Sequence, residues 1–544
     1  MKKIGSYLLC LLCYNSITAQ TGYSNFAQQT NRINALAKAN PQWVKVKSLT
    51  KTNGGKDIWQ ISIGSGNTET KPAIAVIGGV EGNAPLSTEL AIGFAEQLMQ
   101  GIATDSIKNL LNKTTFYIFP NMSPDAMEQY FAPLRYERMG NATATDDDRD
   151  GNSDEDGYDD LDGNGKITWM RVESPIGTHR VHPNDARVLI KADVSKGEKG
   201  NYLVFTEGKD NDKDGNFNED GEGGVWFNKN LTFKHPSFSQ GSGEFPASEK
   251  ETRALLDELY DRFNVYAVIS FSSNNNLSTP YAFNATAATA PILAGWLMPD
   301  TKVNSMVSEL YNKTVGLKDA PASSVTGGDV LSWGYYHFGR FSFSTPGWWV
   351  PKTKPDTTKN EKAFTVEDAT ANYLRWASQQ NISNVFTEWK NIQHPDFPNQ
   401  KVEVGGVDPF VLNTPPYSHV TDLVKKHSSF LIKLAAAQPE IDLVNIKTEK
   451  LANGLTRVTL DVINKSALPS HSKLGERSYW VKRINVKVNN SSSQSIISGK
   501  KIQLLNVLEG YSSKQLTWLI KGTGKVTIEA GSPTTGLKTI EVTL

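Results

Sequence analysis

The apolar positions of this chain fall into two textures that change near residue 440. Residues 24–50 carry helical spacing followed by a connector, and Asp57–Ile63 alternates with period two, which predicts a strand with one buried face. Ala73-Ile74-Ala75-Val76-Ile77 is apolar throughout and stops at Gly78-Gly79, the pattern of a strand buried on both faces of a parallel or mixed sheet. Helical periodicity returns from Ser87 to Met99, and residues 115–120 predict a further strand. Strands and helices alternate in this way to about residue 436, which implies an α/β domain. Beyond it, short β-rich runs at 456–462, 484–488, 516–520 and 525–529 are separated by Gly, Ser and Asn. These predict a small β-sandwich over 439–544, with Pro439 as the hinge.

Composition narrows the possibilities. At 544 residues the chain is too long for one ordinary domain, and 57 basic against 57 acidic residues remove the electrostatic case for a nucleic-acid partner. Met1-Lys2-Lys3, the apolar run Tyr7–Cys13 and the small residues before Gln20 have the layout of a secretory signal peptide over 1–19. A secreted or periplasmic location follows. Lipidation at Cys13 is disfavoured because Cys10-Leu11-Leu12 lacks the small residues such a site needs. No later stretch approaches the roughly 20 apolar residues of a transmembrane segment. Both cysteines lie in the leader, so the remaining chain has no disulfide, thiolate nucleophile or cysteine metal ligand.

Charge is unevenly distributed. Residues 146–157 read DDDRDGNSDEDG and residues 210–221 read DNDKDGNFNEDG, an internal repeat inside an insert spanning 141–224. Asp146, Asp148, Asp150 and Asp154 in the first copy, and Asp210, Asp212, Asp214 and Asn218 in the second, place oxygen donors at alternate positions around a Gly-permitted turn. Asp160, Asp162 and Asn164 form a third, weaker loop. Calcium takes six to eight oxygens and suits such loops. None has the Glu at position 12 used by helix–loop–helix sites, so the expected role is structural, bracing an insert that would otherwise repel itself.

Several segments in order resemble the zinc carboxypeptidases, the carboxypeptidase A family, in a bacterial branch bearing calcium loops. They are residues 78–85 (GGVEGNAP), 119–125 (FPNMSPD), 167–171 (ITWMR), 223–230 (GGVWFNKN), 248–253 (SEKETR), 326–329 (TGGD) and 402–406 (VEVGG), with Trp389 and His394-Pro395. The resemblance covers roughly residues 24–436 and implies a carboxypeptidase A-like mixed sheet flanked by helices over 20–438, with the acidic calcium-loop insert and the C-terminal β-sandwich domain. It also implies a zinc held by two His and one Glu, with an open position for water.

Here the ligand positions carry Glu81, Ala84 and Ser272, and the general-base Glu position carries Pro346. The eight histidines (179, 182, 235, 337, 394, 419, 427 and 471) lie outside both ligand segments. The pair that grips a substrate carboxylate in the family is represented by Asn228-Lys229, where Lys keeps the charge but not the bidentate fork of Arg. The substrate-covering Tyr falls near Ser323 and is absent. The expectation is a secreted family member without catalytic residues or bound zinc, binding peptide or peptidoglycan-peptide C-termini through Asn228 and Lys229. The rivals are an active zinc carboxypeptidase whose metal site is rebuilt around Glu81, and a non-catalytic surface scaffold.

Overall fold

The computed structural model describes residues 22–146, 151–154, 156–213, 215–218, 221, 223–323, 327–354 and 369–544. The leader and the loop positions Asp148, Asp150 and Asp214 lie outside the described residues. Through residue 436 the strands are β1 (Val44–Lys51), β2 (Asp57–Ile63), β3 (Ala73–Ile77), β4 (Thr115–Phe119), β5 (Trp169–Glu173), β6 (His179–His182), β7 (Asp185–Lys191), β8 (Tyr202–Thr206), β9 (Val265–Phe271), β10 (Phe341–Thr345), β11 (Phe386–Ile392) and β12 (Val402–Val407). The helices are α1 (Phe26–Ala39), α2 (Pro85–Gln100), α3 (Asp105–Lys113), α4 (Pro124–Met127), α5 (Lys250–Tyr260), α6 (Ala285–Thr289), α7 (Met298–Val315), α8 (Val330–Tyr336), α9 (Ala369–Gln379) and α10 (Val420–Ala436).

The main sheet has the order β1-β2-β4-β3-β9-β10. β1, β2 and β4 pair antiparallel, whereas β4, β3, β9 and β10 run parallel. The unbroken apolar run of β3 has a direct cause: all five of its residues are buried between two helical layers. Ile74 and Val76 join Leu90 and Phe94 of α2 and Leu431 and Leu434 of α10. Ala73, Ala75 and Ile77 face the other way, onto Leu255 and Leu259 of α5 and Trp333 of α8. This is a mixed α/β/α sandwich, as the resemblance implied. One difference lies at the start, where the expected connector before residue 50 is the edge strand β1.

A second six-stranded sheet, β11-β12-β5-β8-β6-β7, is antiparallel throughout and draws its strands from the insert and from residues 386–407. Alternating strands and helices did not predict it. Its strands are short and mostly half-exposed: every residue of β8 is partly accessible, so no period-two pattern emerges.

The C-terminal unit contains β13 (Ile441–Leu451), β14 (Leu455–Asn464), β15 (Asn485–Asn489), β16 (Ser495–Ser498), β17 (Ile502–Leu504), β18 (Ser513–Lys521), β19 (Lys525–Ser532) and β20 (Gly536–Thr543). They form two four-stranded antiparallel sheets, β13-β14-β18-β16 and β17-β15-β19-β20. Val458, Leu460 and Val462 of one sheet share a core with Val486, Val488 and Ile528 of the other. The unit is tied to the main sheet, with the Tyr266 hydroxyl donating to the Pro469 carbonyl at 2.9 Å.

Candidate functional site

Three neighbouring parallel strands end at one edge of the main sheet, and the four positions singled out from the resemblance follow them. Glu81 and Ala84 lie on the loop after β3, Ser272 directly follows β9, and Pro346 directly follows β10. The carboxyl edge of parallel strands is where ligands collect in open α/β sheets. The loop after β3 needs its glycines: Gly79 has φ +58°, and a Cβ there would stand 2.4 Å from the Asn121 side-chain oxygen. Pro85 then begins α2 at a position where its missing N–H is harmless.

Glu81 is buried, and its Oε1 accepts from Asn228 Nδ2 (2.9 Å), the Ser273 backbone N–H (3.1 Å) and Ser273 Oγ (2.9 Å). Burial pushes its carboxyl up to about 7, opposed by those hydrogen bonds and assisted by the charge of Asp329. Asn228 sits on a single helical turn, Phe227–Lys229. Its Oδ1 accepts the N–H of Val330 at the start of α8 (3.0 Å), and its Nδ2 also reaches Asn274 Oδ1 (3.2 Å). Asp329 Oδ1 caps α8 by accepting from the Ser332 N–H (2.8 Å), and burial raises that carboxyl as well.

Ser272 belongs to an adjoining hydroxyl network. Its Oγ donates to Asn274 Oδ1 (3.1 Å) and lies 2.7 Å from Ser344 Oγ, which donates to the Ser270 carbonyl (3.0 Å). Asn276 fastens the same pair of strands, accepting from the Ser344 N–H (2.8 Å) and donating to the Ser342 carbonyl (3.0 Å). Ala84 offers a methyl group and Pro346 a ring without a donor or base. Lys229 leans along the wall: its Nζ donates to the Gln240 carbonyl (3.0 Å) and lies 3.7 Å over the Trp226 ring.

The structure thus brings Glu81, Asn228 and the Ser272–Ser273 segment into hydrogen-bonded continuity, while Lys229 is held to one side. Sequence reasoning did not single out Ser273, Asn274 or Asp329. A signal existed in Ser272-Ser273-Asn274-Asn275-Asn276, a run of five polar residues directly after a buried strand, of which Ser272, Asn274, Asn275 and Asn276 are buried. A polar run that stays buried must be hydrogen-bonded, and so builds a network. His394 Nε2 donates to the Gly208 carbonyl (2.9 Å), and His427 is packed against Phe271 of β9 with its imidazole pushed down to about 4 by burial.

One carboxylate, one hydroxyl already engaged and one methyl do not fit a zinc ion, which takes nitrogen, thiolate and carboxylate donors in a tetrahedron. The acidic insert is chemically different. Asp160, Asp162 and Glu207 bring carboxylate oxygens within 4.8 Å of one another, the donor type that suits calcium. Asp160 accepts the N–H groups of Gly163 (2.9 Å), Asn164 (3.0 Å) and Gly165 (2.7 Å), and Asn164 Oδ1 accepts from Lys166. Glu207, which was not expected here, is fully buried and accepts from Leu161 and Thr168. The two repeat copies curl alike: Asp146 accepts from Gly151 (3.0 Å) and Asp210 from Gly215 (3.1 Å). They are also clasped together, with buried Asp156 accepting the N–H groups of Asn211 and Asn218 and Asp154 accepting that of Gly223.

Residues 30–347 match the family model described as zinc carboxypeptidase, more than half of the chain. The chain belongs to the zinc carboxypeptidase family. Residues 440–543 of this carboxypeptidase-family protein match a family described as a domain of unknown function. A zinc carboxypeptidase of Saccharothrix mutabilis subsp. capreolus is 27% identical over 132 residues, covering 23% of this chain and 30% of that one. Carboxypeptidase E of Caenorhabditis elegans is 31% identical over 111 residues, covering 20% and 24%. The matches therefore span less than a third of the length of these relatives. Among solved structures, carboxypeptidase A of Helicoverpa armigera is 13% identical, covering 66% of this chain and 72% of that chain with a TM-score of 0.37. Bovine thrombin-activatable fibrinolysis inhibitor, solved with a tick carboxypeptidase inhibitor, is 12% identical, covering 76% and 97% with a TM-score of 0.35. No helix among the described residues is long and apolar enough to cross a membrane.

Proposed function

We propose that this family member is a secreted pseudopeptidase, one that has lost hydrolysis and binds peptide or cell-wall peptide C-termini in the former cleft. The observation that carries this reading is the fate of the four catalytic positions. Glu81, Ala84, Ser272 and Pro346 supply no zinc donor set, Pro346 offers no base at the general-base position, and the two that are polar are hydrogen-bonded into the protein itself. Hydrolysis by zinc-activated water needs an open metal position and a base at that water. A cleft closed on its own polar groups offers walls and hydrogen bonds instead.

Lys229 is the cation offered to a terminal carboxylate, exchanging its bond to the Gln240 carbonyl for one to the ligand, and Asn228 holds the adjoining wall. Calcium at Asp160, Asp162 and Glu207, with the two repeat loops, braces the insert. The deciding experiment is metal content per chain by mass spectrometry on protein purified without chelators, followed by peptide binding. Calcium without zinc, no release of C-terminal residues, and peptide-end affinity that falls in Lys229→Ala are expected. One zinc per chain with peptide hydrolysis would overturn the proposal, and unchanged affinity in Lys229→Ala would remove the carboxylate contact.

A further inference from the structure

A cavity of about 550 Å³ lies apart from the former catalytic positions, between the second sheet and the segments around residues 136 and 408. Two indoles, Trp169 of β5 and Trp389 of β11, line it, together with the paired rings of Tyr136 and Tyr158, whose centroids are 4.3 Å apart. Trp169 is 49% exposed, on the face of β5 opposite the fully buried Met170 and Val172, which leaves its ring open to the cavity side. Gly406 lies beside both indoles: a Cβ there would stand 3.1 Å from Trp169 and 3.6 Å from Trp389. The glycine keeps this part of the wall flat and aromatic.

The polar groups of the wall carry both signs of charge, each already held in place. Arg187 donates to Asp185 at 2.9 and 2.7 Å. Asp408 accepts from Thr387 (2.8 Å) and from the Lys166 ammonium. Glu137 accepts from Asn83 (2.8 Å) and from the Phe410 N–H (2.7 Å). Carboxylates so restrained keep further lone pairs for a ligand, and Arg has five N–H donors. A cationic ligand would meet the Arg187 guanidinium, and Trp389 already carries Arg171 at 4.2 Å from its centroid. An anionic ligand would meet Glu137 and Asp408. With both signs already paired on the wall and an indole face left open, the wall presents acceptors, N–H donors and an apolar plane, which fits a molecule without net charge that has a flat C–H face and hydroxyls at its rim.

We propose that this cavity binds a neutral pyranose sugar, stacked on Trp169 and hydrogen-bonded at its edge to Glu137, Asp408 and Arg187. The site uses none of the residues assigned to peptide binding, so the two readings stand or fall separately.

The test titrates full-length protein with cellobiose, maltose, lactose and N,N′-diacetylchitobiose, read by indole fluorescence and calorimetry. Choline and tyrosinamide serve as cationic and aromatic competitors. Saturable binding of at least one disaccharide is expected, weakened roughly tenfold in Trp169→Ala and less in Trp169→Phe, which keeps a stacking face. Because Trp169 is half-exposed, both variants should keep the wild-type melting temperature, which is checked first. Absence of saturable binding to all four disaccharides would overturn the proposal. So would tighter binding of choline or tyrosinamide than of any sugar, or sugar affinity unchanged in Trp169→Ala.

Discussion

Replacing Glu81 with Gln tests whether this buried carboxyl is held as a neutral acid. The carboxyl is raised from 4.5 to about 7, chiefly by burial. Between those values the folded protein holds a proton that the unfolded chain has released, so this group makes stability fall as pH rises from 4.5 to 7, and its effect is flat above that window. A displacement of 7 less 4.5, at 1.36 kcal/mol per unit, is worth roughly 3 kcal/mol. Gln does not titrate and keeps an oxygen for Asn228 and Ser273. The stability of Glu81→Gln relative to wild type should therefore improve by roughly 3 kcal/mol between pH 4.5 and pH 8, a visible share of a domain's total. The assay is urea unfolding at pH 4.5, 6 and 8, following the transition of the carboxypeptidase-like unit separately from that of the C-terminal sheets. Parallel stability profiles for the two proteins would refute the reasoning, because they would mean that Glu81 is ionised throughout, as a bound cation would make it.

Other positions give further checks. Glu251, buried beside Glu249 and sharing the Asn141 amide with it, is also raised to about 7 by burial, so Glu251→Gln should show the same sign over the same pH window in urea unfolding. Removing divalent ions with EGTA should lower the melting temperature, with recovery on adding calcium but not magnesium. Glu207→Gln should weaken that recovery, as read by calorimetric melting. Trp518, buried between the C-terminal sheets with its Nε1 donating to the Lys500 carbonyl at 2.8 Å, should cost about 3–5 kcal/mol of that unit's stability when changed to Ala. Its transition should shift while that of the main domain does not.

The parts of this fold legible in sequence are those whose burial has a short period. β3 is buried on both faces and reads as five apolar residues, and β14 alternates because one face meets the opposing sheet. The second sheet escaped because its strands are short and half-solvated, and because the acidic repeats around them dominate the local composition. The placement of Glu81, Ser272 and Pro346 was legible for a different reason: each follows a recognisable strand, and parallel neighbours bring their carboxyl ends to one edge. The wiring among them was not. Glu81 meets Asn228 across 147 residues and Ser273 across 192, and no local spacing encodes such a pair. Lys229 was read by its charge alone, whereas its partners, Trp226 and Gln240, decide where that charge points.

The same wiring bears on how the proposed loss of hydrolysis could be reversed. A metal ligand at position 81 must present its donor to the cleft, but Glu81 spends its Oε1 on three hydrogen bonds that also hold Asn228 and, through it, the start of α8. Glu81→His alone would take that acceptor from the Asn228 amide, leaving it Asn274 Oδ1, and from the part-buried Ser273 N–H, at about 0.5–1.5 kcal/mol for each hydrogen bond lost. A histidine placed at position 81 alone therefore loosens this wall before a metal could offset the loss. This coupling ties position 81 to the Asn228 turn and the start of α8, so a change at 81 is felt at both.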